Sequence, residues 1–557
     1  MHSVGLSCPI RRTVMPLHAH GFPALVRSDR CEFSCDRRWQ EGPVVDKSCG
    51  NRILGSTPTS SKGLLRDDDH ERLNRQRLIV RALQLELPPH AIIWRDEETA
   101  PYECDGLTAY RAKPLVVVLP ETEEQVRAIL EACHQLRVPV VARGAGTGLS
   151  GGALPDSFGV TLSLAKFNRI VRIDPVGRTA VVQCGVRNLA ISEAAAPYGL
   201  YYAPDPSSQI ACTIGGNVAE NAGGVHCLKY GLTMQNVLRV RGFTAEGEAI
   251  EFGSEALDYA GLDLLPLVIG SEGMLAIAME VTVKLIPRPQ IARCIIASFD
   301  DVRKAGDAVA AVIAAGIIPA GLEMMDKAMT VAVEDFVHAG YDLTAEAILL
   351  CESDGTAEEV EEEVERMSAV LRNSGATLIT VSRSESERQR FWSGRKNALP
   401  ASGRISPDYM CLDPTIPRKR IADMLLAIQE MEKKYRLRCV NVFHAGDGNL
   451  HPLVLFDAND PDELHRCELF GADILETSVA MGGTVSGEHG AGVEKLNSMC
   501  VQFNAKENEQ MRGVKRAFDP ALLLNPGKSI PTLHRCAEYG KQVVRGGQLP
   551  HAELPRF

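Results

Sequence analysis

A chain of 557 residues is too long for one core and implies about two to four domains. Its 45% hydrophobic and 24% charged content is that of an ordinary globular protein, and a net charge of −11 excludes phosphate-backbone binding, which needs a basic face. No run reaches the roughly 18–20 apolar residues that span a bilayer; the longest Ala/Ile-rich stretch, 308–321, contains Pro319. The sixteen cysteines contain no C-x-x-C spacing, so zinc-ribbon and iron–sulfur signatures are absent. Cys133, Cys184 and Cys294 sit in apolar runs as small hydrophobes, and the thiols read as reduced, in a cytoplasmic setting.

Residues 1–65 combine prolines, arginines and four cysteines without sustained periodicity, and no acid precedes Asp29. An Arg-rich, acid-poor start is like a transit peptide, but Pro9, Pro16 and Pro23 interrupt an amphipathic helix. The segment reads as a poorly structured extension or as the product of a start codon placed too far upstream.

Regular structure is predicted from "DDDHERLNRQRLIVRALQL" (67–85), a helix, followed by the strand "PLVVVLP" (114–120). "TEEQVRAILEACHQLR" (122–137) reads as a helix opened by Thr122, with acids in its first turn, and "VPVVARG" (138–144) as the next strand. This β-α-β unit runs into a glycine-rich segment, where α/β proteins place ligands. From about 291 to 440 two strand–helix–strand units follow one another: "CIIASF", a helix, "GLEMMD", then "AILLCES", a helix, "ATLITV". Together they predict a ferredoxin-like α+β module, with the acidic run 358–365 as the wet side of its second helix.

Three glycine segments stand out. "RGAGTGLSGGALP" (143–155) lets backbone N–H groups approach an anion, yet a turn and strand follow it where a Rossmann site would have a helix. "PDPSSQIACTIGGNVAENAGGVHCLKYG" (204–231) is too polar for a core, and in "GSEGMLAIAMEVTVKLIP" (270–287) a glycine turn feeds a strand. Three such segments within about 150 residues point to a large, extended, phosphorylated ligand. Further on, "HAGDGNLHP" (444–452) sets His444 and His451 about a turn between the strands "CVNVF" and "PLVLF". Alone, the pair suits a metal, acid–base chemistry or a structural hairpin.

The ordered motifs resemble the FAD-binding domain of the vanillyl-alcohol oxidase/PCMH flavoprotein superfamily. The likeness continues through "FWSGRKNALP", "SGEHGAGVEK" and "LLNPGK" and covers roughly residues 66–557. Within the superfamily the chain resembles the D-2-hydroxyacid dehydrogenases, above all the catalytic FAD subunits of bacterial glycolate oxidases. The resemblance implies an α+β fold: a two-subdomain FAD-binding domain (66–290), a ferredoxin-like cap domain (291–470) and a C-terminal segment (471–557) returning to the flavin.

It further implies that Arg143, Gly144, Ala145, Gly146, Thr147, Gly148, Ser150, Gly151 and Gly152 wrap the pyrophosphate. Pro204, Asp205, Thr213, Gly216, Asn217, Asn221, Gly223 and Gly224 would line the ribityl and isoalloxazine portions. Gly270, Glu272, Gly273 and Ile277 would hold the adenosine side, and Asn525 and Lys528 would return to the flavin. No histidine lies between Arg143 and Pro155, so non-covalent FAD is expected, with His226 the alternative attachment point.

Oxidising a 2-hydroxy acid needs a base for the hydroxyl proton, a hydride acceptor and a cation for the carboxylate. The resemblance makes Arg395 the carboxylate clamp, since a guanidinium offers two parallel donors, and leaves Lys396 at the surface. It makes His489 the base and Glu488 a metal ligand. Residues equidistant from a hairpin loop oppose each other, so His444 and His451 are expected to face one point. With Glu488 they form an N₂O set suited to Zn²⁺, and as a Lewis acid the cation would lower the pKa of the substrate hydroxyl. Asp447 reads as a turn residue and Asn449 as one that orients substrate.

Relatives acting on longer dicarboxylic hydroxy acids carry a lysine after the arginine. Here "PDYMCLDPTIP" (407–417) has Met410 and Cys411 and no cation, which favours glycolate or D-lactate. Lacking a cluster motif, the chain would depend on an iron–sulfur subunit and a second FAD-fold subunit, and would meet a membrane only through them. A stand-alone D-2-hydroxyglutarate-type dehydrogenase and a non-catalytic FAD-binding scaffold are the alternatives.

Overall fold

A computed structural model describes residues 67–256 and 261–531. The extension at 1–65 lies outside the described residues, all of which belong to one compact unit.

The first sheet contains β1 (Ile92–Ile93), β2 (Val116–Val118), β3 (Val140–Arg143) and β4 (Val160–Ser163) in the order β1-β2-β4-β3. β4 runs parallel to both β2 and β3, and the helix Glu123–Leu136 makes the crossover between these two. Thr122 caps that helix by accepting the Gln125 N–H at 3.3 Å, and Arg137 ends it in the left-handed conformation. Val126, Ile129, Leu130 and Cys133 form its buried stripe against the sheet. The 3.6-residue apolar spacing therefore decides which face goes down.

The second sheet is antiparallel. β5 (Ile170–Asp174), β6 (Thr179–Gln183), β8 (Val237–Phe243), β9 (Ala249–Gly253) and β10 (Ile277–Lys284) lie in the order β5-β6-β10-β8-β9. The short strands β7 (Leu200–Tyr201) and β11 (Ile286–Pro287) pair beside it. The C-terminal segment closes on the first sheet, where the Val140 N–H donates to Leu523 O at 2.8 Å and the Asn525 N–H to Val140 O at 2.7 Å.

The third sheet has seven strands: β12 (Ile291–Phe299), β13 (Gly321–Asp326), β14 (Ala347–Gly355), β15 (Leu378–Val381), β16 (Asp408–Cys411), β17 (Cys439–Phe443) and β18 (Pro452–Phe456). Their order is β15-β12-β14-β13-β17-β18-β16. The first four, ordered β15-β12-β14-β13, are the ferredoxin-like module. Helices Val302–Ala314 and Ala357–Asn373 pack on the face carrying Ile295, Ala297, Phe299, Leu349 and Cys351. Ile296, Ile348 and Leu350 point to the other face, against Phe391 and Trp392. Both faces are buried, so these strands read as continuous apolar runs.

The hairpin β17–β18 extends the module and carries the two histidines. Its register pairs Asn441 with Pro452, and a further bridge joins His444 to Asn449. His444 and His451 are thus diagonal neighbours, two positions out of register, rather than the directly opposed pair that symmetry about the loop predicts. No helix among the described residues is long and apolar enough to cross a membrane.

Candidate functional site

A cavity of about 830 Å³ separates the glycine segments from the third sheet. One wall is made by Arg143–Gly148 and Gly152, by Thr213, Gly216, Asn217 and Gly223, and by Glu272, Gly273 and Ile277. The opposite wall contains Arg395, Cys411, Val442, His451, Glu488 and His489. Lys396, expected at the surface, is exposed and lines the mouth of the same cavity.

Two of the glycines sit where a side chain would collide. A Cβ on Gly144 would overlap the Thr213 hydroxyl, and one on Gly223 would overlap the Glu488 carboxylate. Thr213 caps the short helix Ile214–Glu220 by accepting the Gly216 N–H at 3.4 Å. Asn217 donates to Asn188, which in turn donates to Pro204 O, so the second segment is braced from behind. The volume falls within the roughly 300–1,000 Å³ of cofactor pockets, and backbone reaches its surface wherever a side chain is missing.

Several residues expected at the cofactor support the wall instead of lining it. Ser150 donates its hydroxyl to His489 O at 2.8 Å, and a Cβ on Gly151 would strike Val493. Asn525 donates to Gly152 O and Glu272 O, and Lys528 to Leu154 O, so both lie buried behind the first glycine loop. Asn221 ends the helix Ile214–Glu220 in the left-handed conformation, with its side chain accepting the Met234 N–H. Gly270 donates its N–H to Val218 O, and Gly224 packs on Asp205. Glu272 lines the cavity, yet its carboxylate accepts the N–H groups of Ala491 and Gly492 at 2.8 and 2.9 Å.

Asp205 holds His226, whose Nδ1 lies 2.7 Å from it while Nε2 lies 3.3 Å from Glu352. Both ring nitrogens of His226 are thus engaged by carboxylates.

Three imidazoles converge on one carboxylate oxygen. Glu488 Oε1 lies 3.4 Å from His444 Nε2, 3.0 Å from His451 Nε2 and 3.7 Å from His489 Nε2. His444 Nδ1 contacts Glu323 Oε1 at 2.7 Å, and Arg395 Nε donates to Glu323 Oε2 at 2.6 Å. Glu323 is therefore the hinge between the histidine cluster and the arginine. It is a fully buried acid set among the apolar residues Leu322, Met324 and Met325 of β13, and an acid within such a run was the available sequence signal for it.

The loop carrying Glu488 and His489 is pinned by Asp413. This buried carboxylate accepts the N–H groups of Gly487, Glu488 and His489 at 3.0, 2.9 and 2.8 Å, and Lys495 Nζ lies 2.5 Å from its other oxygen. Burial pushes the Asp413 carboxyl up, but Lys495 and His489 outweigh that and hold it at about 2. Asn449, expected to orient substrate, does not line the cavity; its amide donates to Asp413 O and Thr415 Oγ1, so it braces this loop. Asp447 accepts the Asn449 N–H as the turn residue. Neither Asp413 nor Lys495 carried a sequence signal, because a single acid before proline and a lysine after a glycine loop both read as surface.

Electrostatics divides the histidines. For His444, burial opposes charge, but Glu323 and Glu488 together hold its imidazolium well above the usual range. For His489, burial dominates and pushes it down to about 4, so it is neutral near pH 7. Glu488, raised by burial, is brought well below its ordinary value by His444 and His451. Glu220, a cavity residue that the sequence reading missed, is held well above its usual range by burial and by the neighbouring Glu272.

The donors fit a divalent cation. His444, His451 and Glu488 each offer an atom within 4.8 Å of the others. A carboxylate behind His444 Nδ1 leaves its Nε2 facing inward, which is the arrangement that orients metal-ligating imidazoles.

Two protein-family models match the chain: FAD binding domain over residues 114–253, and FAD linked oxidases, C-terminal domain, over residues 288–529. The glycolate oxidase subunit GlcD of Escherichia coli K12 is 61% identical over 86% of this chain and 96% of its own length. The chain belongs to the FAD-linked oxidases. It is an oxidoreductase of this family, and FAD is its cofactor. GlcD of Bacillus subtilis 168 is 39% identical over 77% of this chain and 91% of its own length. The D-lactate dehydrogenase of Anaerostipes hadrus is 33% identical over 80% of this chain and 95% of its own. Among solved structures, p-cresol methylhydroxylase with substrate bound superposes with a TM-score of 0.71 at 16% identity, over 85% of this chain and 99% of that one. That likeness shows the two-subdomain PCMH-type fold.

Proposed function

We propose that the chain oxidises a small 2-hydroxy acid, glycolate first and D-lactate second, to the 2-oxo acid. The carrying observation is that a neutral imidazole, His489, sits on the cavity wall beside Glu488 and His451, with Arg395 in the same wall. Bound non-covalently across the glycine wall, FAD supplies a two-electron acceptor for the hydride from C2. A divalent cation held by His444, His451 and Glu488, with Zn²⁺ the best match to two imidazoles and a carboxylate, supplies Lewis acidity to the substrate hydroxyl.

The remaining chemistry belongs to the chain. Arg395, its Nε fixed by Glu323, presents its remaining guanidinium N–H groups to the substrate carboxylate. His489 takes the hydroxyl proton as the C2 hydrogen leaves with its electron pair, and the imidazolium so formed is met by Asp413 3.9 Å from Nδ1 and Glu488 3.7 Å from Nε2. Tyr409 and Cys411 line the cavity from β16 and bring no cation, which supports a short monocarboxylate.

The relatives named as glycolate oxidase subunits support a place in a multi-subunit complex. We infer a second FAD-fold subunit and an iron–sulfur subunit as partners, with the chain cytoplasmic and any membrane contact made through them. We also infer a division near residue 290 between FAD-binding and cap domains, and near 470 before the closing segment.

The test is anaerobic mixing with a panel of D- and L-hydroxy acids before and after chelation. Glycolate should bleach the flavin absorbance near neutral pH, and chelation should abolish this. Unbleached flavin would sink the catalytic reading, and full activity after chelation would sink the metal.

A further inference from the structure

Cys411 ends β16, which pairs with β18 so that Cys411 lies opposite Leu453 and diagonal to His451. Two residues on, Asp413 accepts the His489 N–H at 2.8 Å, so the same strand end fixes His489 as well. The result is a second donor group: Cys411, His451 and His489 each offer an atom within 4.8 Å of the others, and all three line the cavity. Cys411 and His451 are buried, and His489 is half-buried.

These donors are not consumed by the fold. Nδ1 of His451 and Nδ1 of His489 are buried without a hydrogen-bond partner. The Cys411 thiol has only a weak contact, to Leu412 O at 3.8 Å. The rings of His451 and His489 are stacked, 4.9 Å between centroids and 8° between planes.

We propose that Cys411, His451 and His489 form a second, soft-donor cation site that takes a thiophilic divalent ion, and that filling it inhibits the enzyme. One thiolate and two imidazoles prefer Cd²⁺ or excess Zn²⁺ to Mg²⁺ or Mn²⁺, unlike the N₂O set of His444, His451 and Glu488. Binding expels the thiol proton, because a coordinating thiol is deprotonated outright. A cation here occupies an imidazole of His489 and shares His451 with the first set. The existence of the site stands independently of the function proposed above, whereas inhibition rests on His489 being the base.

The test uses the FAD-loaded full chain titrated with Cd²⁺, alongside Mn²⁺, for the wild type, Cys411→Ser and Cys411→Ala. Two quantities are read: the ultraviolet thiolate-to-cadmium charge-transfer band, and anaerobic flavin reduction by glycolate relative to each variant's own cadmium-free rate. The wild type should show a band that both variants diminish by one thiolate, and the cadmium concentration for half-inhibition should rise at least about tenfold in the variants. Mn²⁺ should inhibit none of them through Cys411. If either variant has lost its turnover, the band still reports on the site. Unchanged band intensity in both variants would overturn the proposal. A Cys411-dependent band with uninhibited flavin reduction would keep the site and remove His489 as the base.

Discussion

Glu323 contacts His444 Nδ1 through one carboxylate oxygen at 2.7 Å while its other oxygen holds Arg395. A single buried anion thus orients both the imidazole proposed to face the metal and the guanidinium proposed to bind the substrate carboxylate. For Glu323 burial raises the carboxyl, but His444 and Arg395 outweigh it and keep it ionised. Glu323→Gln retains the shape and removes the charge. Metal content at fixed free Zn²⁺ should fall, with affinity lower by about 10–100-fold. KM for glycolate should rise at the same time, since Arg395 loses its anchor. A change in kcat alone, with metal content and KM unaltered, would contradict this coupling.

His489 makes a prediction with a definite sign in pH. Burial depresses its pKa to about 4, so the imidazole is neutral and able to accept a proton above that value. The rate constant for flavin reduction should therefore rise as pH increases through about 4 and be level near neutrality. His489→Gln should slow reduction by about 10²–10⁴-fold while leaving the bound FAD per chain unchanged. Stopped-flow absorbance in the anaerobic instrument reads both. An inflection near 6.5 in the wild type would mean that the ring is solvated as in an ordinary histidine.

Much of this was legible in the residues because the signals are local. Thr122 announces its helix, and the continuous apolar runs in β12 and β14 announce two covered faces. The glycines of 143–152 mark the close approach that the Gly144–Thr213 contact requires. What was not legible depends on contacts far apart in sequence. The pairing of Glu323 with His444 spans 121 residues, and that of Asp413 with the His489 N–H spans 76. The hairpin illustrates the limit within a single motif. Its residues predict that the histidines meet, but the bridge from His444 to Asn449 shifts them to a diagonal pair, and the Asn449 amide is taken up by Asp413 O and Thr415 Oγ1 instead of the cavity.

The glycine wall can be tested without turnover. A methyl group at Gly144 would overlap the Thr213 hydroxyl that caps the helix Ile214–Glu220. Gly144→Ala should weaken FAD binding at least about tenfold, equivalent to ~1.4 kcal/mol, measured by the return of free flavin fluorescence on dilution. Gly513→Ala is the control. Gly513 is exposed in the helix Ala505–Phe518 and a Cβ there meets nothing within 4 Å. It should hold FAD as the wild type does and gain about 0.5–1 kcal/mol of stability.

Glu494 carries the last prediction, which concerns stability. Burial raises its carboxyl to about 7, against the pull of Lys495 Nζ at 3.4 Å. The unfolded chain releases this proton near its ordinary 4.5. Between these values the native state binds a proton that the unfolded state has lost, so stability must fall as pH rises through this window. Below about 4.5 the full contribution is present, and above about 7 it has gone. The whole effect is roughly 3 kcal/mol at most. Glu494→Gln keeps the volume and cannot ionise, so it should lack this slope and gain on the wild type as pH is raised from 5 to 8. Urea unfolding of the FAD-loaded protein at the two pH values measures the difference directly. Parallel changes in wild type and variant would show that the native carboxyl is already ionised at pH 5, with Lys495 dominating over burial.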